Sequence, residues 1–196
     1  MKNLTRTILA SFLAFTPVGA FANEWSPIGI EWGFGWLPQE TTNVYGLRLG
    51  LMCGNHTVRG VGISVADVSD LFSSGNTSVT GVNIALVGST ISTEHFAFLI
   101  GGAGDNVRIK SGAIVQIGGL GCSVMNGFAV SIAPVLTLHE RTRGVQIGGV
   151  NFSELGGGGL QIGVCNFARN DWKGLQIGLV NYIEDGWILP LVNWRF

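Results

Sequence analysis

Three histidines, three cysteines and a scatter of carboxylates are the residues of this chain equipped for chemistry. Their spacing assembles none of them into a site. His56, His95 and His139 are isolated, and no pair has metal-ligand separation. Glu94 and Glu140 adjoin His95 and His139, but neighbours on an extended segment point to opposite faces. The three histidines therefore read as solvated loop residues. Cys53, Cys122 and Cys165 show no C-x-x-C spacing, and an odd number cannot complete a disulfide framework. Inside strand-like segments each reads as a small apolar residue. The glycine run at 156–159 lacks a following Lys-Ser/Thr, so it is no phosphate loop and reads as a connection between units. No serine sits in a G-x-S-x-G elbow. Asp70, Asp105, Asp171, Glu184 and Asp185 fall on separate connections and do not build a nonapeptide calcium repeat. Catalytic, cofactor-binding and metal-ligating residues are accordingly assigned as none, and a non-enzymatic protein is expected.

The elements that would position any side chain come from an internal repeat. GVQIGGVN (144–151) is followed by GLQIGVCN (159–166) and GLQIGLVN (174–181), 15 residues apart each time. An aromatic residue follows each Asn: Phe152, Phe167 and Tyr182. The frame extends backwards, giving nine copies that start at 46, 60, 81, 97, 114, 129, 144, 159 and 174. The one long interval holds residues 67–80, rich in Ser, Asn and Gly, and reads as an inserted loop. Each core alternates with period two, the signature of a strand. Second and fourth positions carry Leu, Val, Ile or Phe; the fifth is always Gly, Ser or Ala. Helix is disfavoured, because glycines recur in eight of the nine units and each costs about 1 kcal/mol there.

The chain opens with Lys2 and Arg6, an apolar run through Val18 and a small-x-small end at Ala20-Phe21-Ala22. This is the pattern of a secretory signal peptide over residues 1–22, too short for a confident membrane-spanning helix. Basic and acidic residues nearly balance, 11 against 12, so there is no basic footprint for nucleic acid. Only 12% of residues are charged, about half the usual share. With 31 glycines, that composition points to heavily buried sheet or to lipid contact.

Two all-β architectures use such a strand. In a parallel β-solenoid of about nine units, equivalent residues stack in columns. Gln146, Gln161 and Gln176 would then form one side-chain ladder. Asn151, Asn166 and Asn181 would form another at a corner, where Asn tolerates left-handed backbone. In an up-and-down outer-membrane barrel, a strand plus a short turn also fills about 15 residues, and the chain ends in Phe196 behind alternating apolar residues. A meander should alternate its loops between the two sides, whereas eight of the nine copies here begin with Gly or Ala, with no odd/even alternation. Pro190 also weakens a closing strand. The solenoid is the preferred reading, with the barrel, and with it a small pore, as the alternative. The Ile column is expected to face the core, so Asp at position 147 or 162 would bury an unpaired charge. His139→Ala is expected to leave the structure unchanged.

The GLQIGLxN unit resembles the bacterial surface-repeat proteins first named from leptospires, which carry runs of G-[LV]-Q-[IL]-G-x-x-N behind a signal peptide. The likeness is good over residues 112–181, looser before them, and extends to the closing segment at 186–196. It implies an envelope or surface location and an unspecified partner there, and no activity. A weaker likeness is to the stacked head repeats of trimeric adhesins, without their stalk or anchor. The expected organisation is a leader (1–22), an N-terminal cap (23–45), repeats (46–181) and a C-terminal cap (182–196). Trp25, Trp32, Phe34 and Trp36 at one end, and Trp187, Trp194 and Phe196 at the other, are expected to cap the exposed core. A solenoid enzyme would need carboxylates aligned on one strand face, and the faces are almost free of them. The function expected is a structural or binding role in an exported envelope protein, at the cell surface or the outer membrane.

Overall fold

A computed structural model describes residues 25–32, 35–37, 43–53, 57–67, 78–93, 95–110, 112–169 and 171–196. The leader at 1–22, Phe34, His56, Asp70, Glu94 and most of the inserted loop lie outside these residues. The described chain forms β1 (Trp25–Trp32), β2 (Gly35–Leu37), β3 (Asn43–Cys53), β4 (Val58–Asp67), β5 (Val79–Thr93) and β6 (Phe96–Gly101). There follow β7 (Gly104–Ile109), β8 (Ala113–Gly118), β9 (Gly121–Ser153), β10 (Gly157–Ala168), β11 (Trp172–Ile183) and β12 (Ile188–Arg195). From β1 and β3 through to β10 and β11, successive strands pair parallel. This is a β-solenoid of about eight turns, and the barrel reading is overturned. A meander would pair its neighbours antiparallel, and the interior here is filled by side chains rather than open as a lumen.

The repeat frame is the pairing register. Gly46 pairs with Gly60, Gly60 with Gly81, Gly81 with Ala97, Ala97 with Ile114, and Ile114 with Ala129. Gly144 pairs with Gly159, and Gly159 with Gly174. Each turn has a first arm carrying the repeat core and a second arm beyond a corner. The second arms also stack, as Ile91 on Val107 and Val107 on Val124. In β9 the chain passes through the corners without a break, bent by left-handed backbone at Asn126, Gly127 and Arg141.

Small residues at the copy start have a backbone cause. Gly46, Gly60, Gly81, Gly144, Gly159 and Gly174 all have positive φ, between 121° and 157°. A Cβ on Gly144, Gly159 or Gly174 would run into the carbonyl of the turn below. The glycine run at 156–159 is no loose connection: residues 157–159 belong to β10 and are paired on both sides.

The interior changes character along the axis. Towards the N-terminal end an apolar cluster, with Val44, Val58 and Val79 on one wall, Ile91, Val107 and Val124 on another and Leu99 and Ile114 between, packs beside buried polar groups such as Arg48, Asp67 and Asn83. In the last three turns the interior is dominated by facing amides. Gln161 donates to Gln146 Oε1 at 2.7 Å, and Gln176 to Gln161 Oε1 at 2.7 Å. The second hydrogen of each glutamine amide crosses to the second arm, reaching the carbonyls of Phe152 (3.0 Å), Phe167 (3.4 Å) and Tyr182 (3.1 Å). Asn151 donates to Asn166 Oδ1 at 2.7 Å, and Asn166 to Asn181 Oδ1 at 2.6 Å. Both expected ladders form. The Gln amides donate towards the N-terminal end of the stack and the Asn amides towards the C-terminal end, so the two rows of dipoles oppose each other. The asparagines do not use the left-handed backbone expected of them; they lie within β9, β10 and β11.

The face assignment is inverted relative to expectation. The Ile column faces outwards: Ile147 is 37% exposed and Ile162 half-buried. The third-position column is the buried one, with Arg48, Asn83, Leu99, Gln116, Ser131, Gln146, Gln161 and Gln176. A turn of about 15 residues encloses a narrow interior. Amides that satisfy one another at strand spacing can be buried there, beside a fifth position kept small.

Both ends close with antiparallel strands, β1 with β2 and β11 with β12. Pro190 sits in β12, where the register shifts between Gly178 and Asn181, a tolerated position on an edge strand. At the C-terminal end the cap is therefore backbone, while the side chains of Trp25, Trp32 and Trp36 lie outside the described residues. Trp187, Trp194 and Phe196 do not cover the core as expected; Trp187 is 82% and Phe196 87% exposed. Among the described residues the large buried aromatic is Trp172, packed with Ala168 and Ile183.

Candidate docking surface

Several of the chemistry-bearing side chains, His139, Cys122 and Asp105 among them, lie inside the stack and away from solvent. His139 is buried in β9, not in a solvated loop as expected, with Nε2 2.8 Å from Ser131 Oγ; Gln116 donates to the same hydroxyl at 2.9 Å. Burial pushes the imidazole down to about 3, so it is neutral at ordinary pH. Replacing it would leave a hole and a bereaved hydroxyl, which corrects the expectation of no effect. Cys122 is buried, its thiol pushed up to about 12 by burial and then by the nearby Asp105. Asp105 is buried too, bonded to the Ser89 amide at 3.2 Å and to the Ser89 hydroxyl, with Oδ2 unpartnered. Burial raises its carboxyl to about 6. Arg48 forms a buried ion pair with Asp67 and donates to Asn83 Oδ1 at 3.0 Å. Sequence reading missed these polar groups as interior because it placed the aliphatic face inside. Among the described residues no three His, Cys, Asp or Glu side chains converge as a metal would require. His95 is exposed, and Cys165 is half-buried on β10.

What the fold does present is its outer surface. On the first arm the fourth-position column runs Leu49, Ile63, Ile84, Ile100, Ile117, Ile132, Ile147, Ile162 and Ile177, then Val192 on β12 opposite Ile177. All but Ile162 are among the exposed large apolar residues. Beside it runs the second-position column of Val, Leu and Phe, ending at Trp194 opposite Leu175. Past the corner, Leu86, Val87, Leu120, Val135, Val164 and Leu179 stand out further, Leu86 to 71%. Among the described residues, no Asp, Glu, Lys or Arg interrupts these columns or this corner. Eight steps of about 4.8 Å make the surface roughly 40 Å long, and its area is on the order of 600 Å², at the top of the range for a soluble monomer.

One border of this face has its own composition. The residues preceding the copy starts run Tyr45, Arg59, Thr80, Phe96, Ala113, Phe128, Arg143, Gly158 and Lys173 along the stack, and the exposed ones are Tyr45, Arg59, Phe96, Phe128, Arg143 and Lys173. Aromatic and basic side chains make this border, and it carries no carboxylate. The sequence signal was available in the residue just ahead of each repeat, but it sits outside the repeated motif. The exposed acids Glu184 and Asp185 lie beyond the second arm, as does the half-buried Glu154.

Comparison with protein families, with curated proteins and with solved structures finds no match to this chain.

Proposed function

We propose that this chain is a non-enzymatic, exported protein of the bacterial cell envelope that lies against a lipid surface through the outer apolar face of its first arm. The observation that carries this reading is the uninterrupted aliphatic surface from Leu49 to Val192, with its protruding corner and no charged residue. Covering half of it contributes on the order of 7 kcal/mol before the cost of association. The leader and the likeness to leptospiral-type surface-repeat proteins support the envelope location.

Shape and border favour lipid over a second copy of the chain. The apolar surface wraps around a corner, so a rigid partner would cover one plane and leave the other wet; a fluid acyl layer conforms to both. Aromatic and basic side chains along one edge, with Trp187, Trp194 and Phe196 at the C-terminal end, match the composition that settles at a headgroup boundary.

Flotation with phosphatidylcholine vesicles tests the reading. The wild type should rise with the vesicles, while Ile147→Asp/Ile177→Asp should stay folded by circular dichroism and remain below. If that variant fails to fold, Val164→Asp/Leu179→Asp, at more exposed positions, takes its place. A wild type that never floats overturns the proposal. So does a concentration-dependent dimer abolished by the same substitutions, which would make a second copy the occupant.

A further inference from the structure

We infer that the gap over Gly158 is a headgroup site for an anionic lipid, an inference that rests on the lipid-facing reading above. Gly158 pairs with Arg143 on one side and Lys173 on the other, so the two basic residues are two rungs apart, roughly 10 Å between Cα atoms. Gly158 itself has no side chain, and a Cβ there would run into the Lys173 carbonyl, so the strand lies flat at this rung. An open groove of about 760 Å³ lies over it, walled by Arg143, Lys173 and Phe128 and floored by residues 157–159.

The groove has one apolar exit. Val145 and Leu160 line it and belong to the aliphatic face, where Ile147 and Ile162 continue outwards. A phosphate held between the guanidinium and the ammonium would therefore have its acyl chains directed onto the face that meets lipid. Asp171 also lines the groove, and it closes the opposite side. A Cβ built on Gly156 would meet its carboxylate, so Asp171 lies over the backbone of that glycine, away from the aliphatic columns. An anion is repelled from that direction and admitted from the lipid side. The Arg143 guanidinium forms bidentate contacts to phosphate, and Lys173 adds a mobile point charge.

The experiment compares binding to phosphatidylcholine vesicles with binding to vesicles in which phosphatidylglycerol replaces part of it. The wild type should prefer the anionic vesicles, and Arg143→Gln/Lys173→Gln should lose that preference by about thirtyfold, the loss expected of two basic side chains at an anionic surface. Binding of the double variant to phosphatidylcholine alone should persist, which separates this site from the apolar face. Arg141→Gln/Arg169→Gln, neutralising exposed cations beyond the groove, should change little. Asp171→Asn should strengthen the preference. An equal loss in the Arg141/Arg169 variant would reduce the effect to general electrostatics and overturn the site. Charge-indifferent vesicle binding, with free glycerol phosphate bound by the wild type and not by Arg143→Gln/Lys173→Gln, would assign the groove to a soluble phosphate and sink the lipid headgroup.

Discussion

The side-chain amide of Asn151 occupies the space that a Cβ on Gly163 would need, 2.5 Å from its ideal position. Asn166 stands in the same relation to Gly178, at 2.6 Å. The small fifth position of one turn and the Asn of the turn below are thus a single device. The asparagine swings over the glycine and donates to the neighbouring carbonyl, Asn151 to Ile162 and Asn166 to Ile177. Gly163→Ala should cost about 2 kcal/mol through overpacking, since the Gly148 carbonyl is also in the way. Asn166→Ala should cost more, about 3 kcal/mol, because it strands the buried Oδ1 of Asn181 and the Ile177 carbonyl. Urea unfolding of the two variants checks both the sizes and the order.

Aspartate should distinguish outside from inside. Ile147→Asp places a charge on a side chain that already meets water and should shift stability by about 1 kcal/mol or less. Val107→Asp buries a charge at a fully enclosed position and should abolish folding at neutral pH. A thermal melt of each variant decides it; an unfolded Ile147→Asp protein would mean that the aliphatic column is the core after all.

Asp105 and His139 should give opposite pH slopes that offset each other. The Asp105 carboxyl is raised to about 6 in the folded chain, so its stabilisation is complete below the unfolded value near 3.9 and is lost as pH rises through about 6. His139 is lowered to about 3, so its contribution is complete above the unfolded value near 6.5 and falls away as pH drops towards 3. Between about pH 4 and 6 the two nearly cancel. Asp105→Asn should uncover a stability that climbs with pH by about 1.4 kcal/mol per unit in that window. His139→Gln should uncover the reverse slope. Denaturant titrations at several pH values measure it, and identical slopes in wild type and both variants would refute the assignment.

Trp172 anchors the C-terminal turns. It pairs in register with Gly157, and its indole packs with Ala168 and Ile183 where the amide ladders leave room. Trp172→Ala should cost about 4 kcal/mol. Protection of backbone amides in β11 and β12 from hydrogen exchange should fall first, with the Val44 to Val124 end retained, because each turn contacts chiefly its neighbours.

The repeat was the most legible part of this protein. Equal spacing of Gly144, Gly159 and Gly174 fixes which residues can stack, and the observed register follows it rung by rung. The Gln and Asn ladders were legible for the same reason: identical residues at identical offsets must meet when parallel strands stack. Arg48 with Asp67, and Asp105 with Ser89, were not legible, because they lie in degenerate copies where partners meet only through the register. The basic and aromatic border escaped notice because its members differ in type from turn to turn.

By itself, then, the sequence determined the strand, the period and the columns. Tertiary structure decided which side of the strand is the interior. Alternation with period two defines two faces and is silent about which one turns inwards. On the first arm the narrow turn buries the third-position column of hydrogen-bonded polar side chains and the small fifth position, beside the aliphatic cluster of Val44, Val58, Val79, Ile91, Val107 and Val124. The second- and fourth-position aliphatic columns are left outside, where they form a broad apolar surface among the described residues.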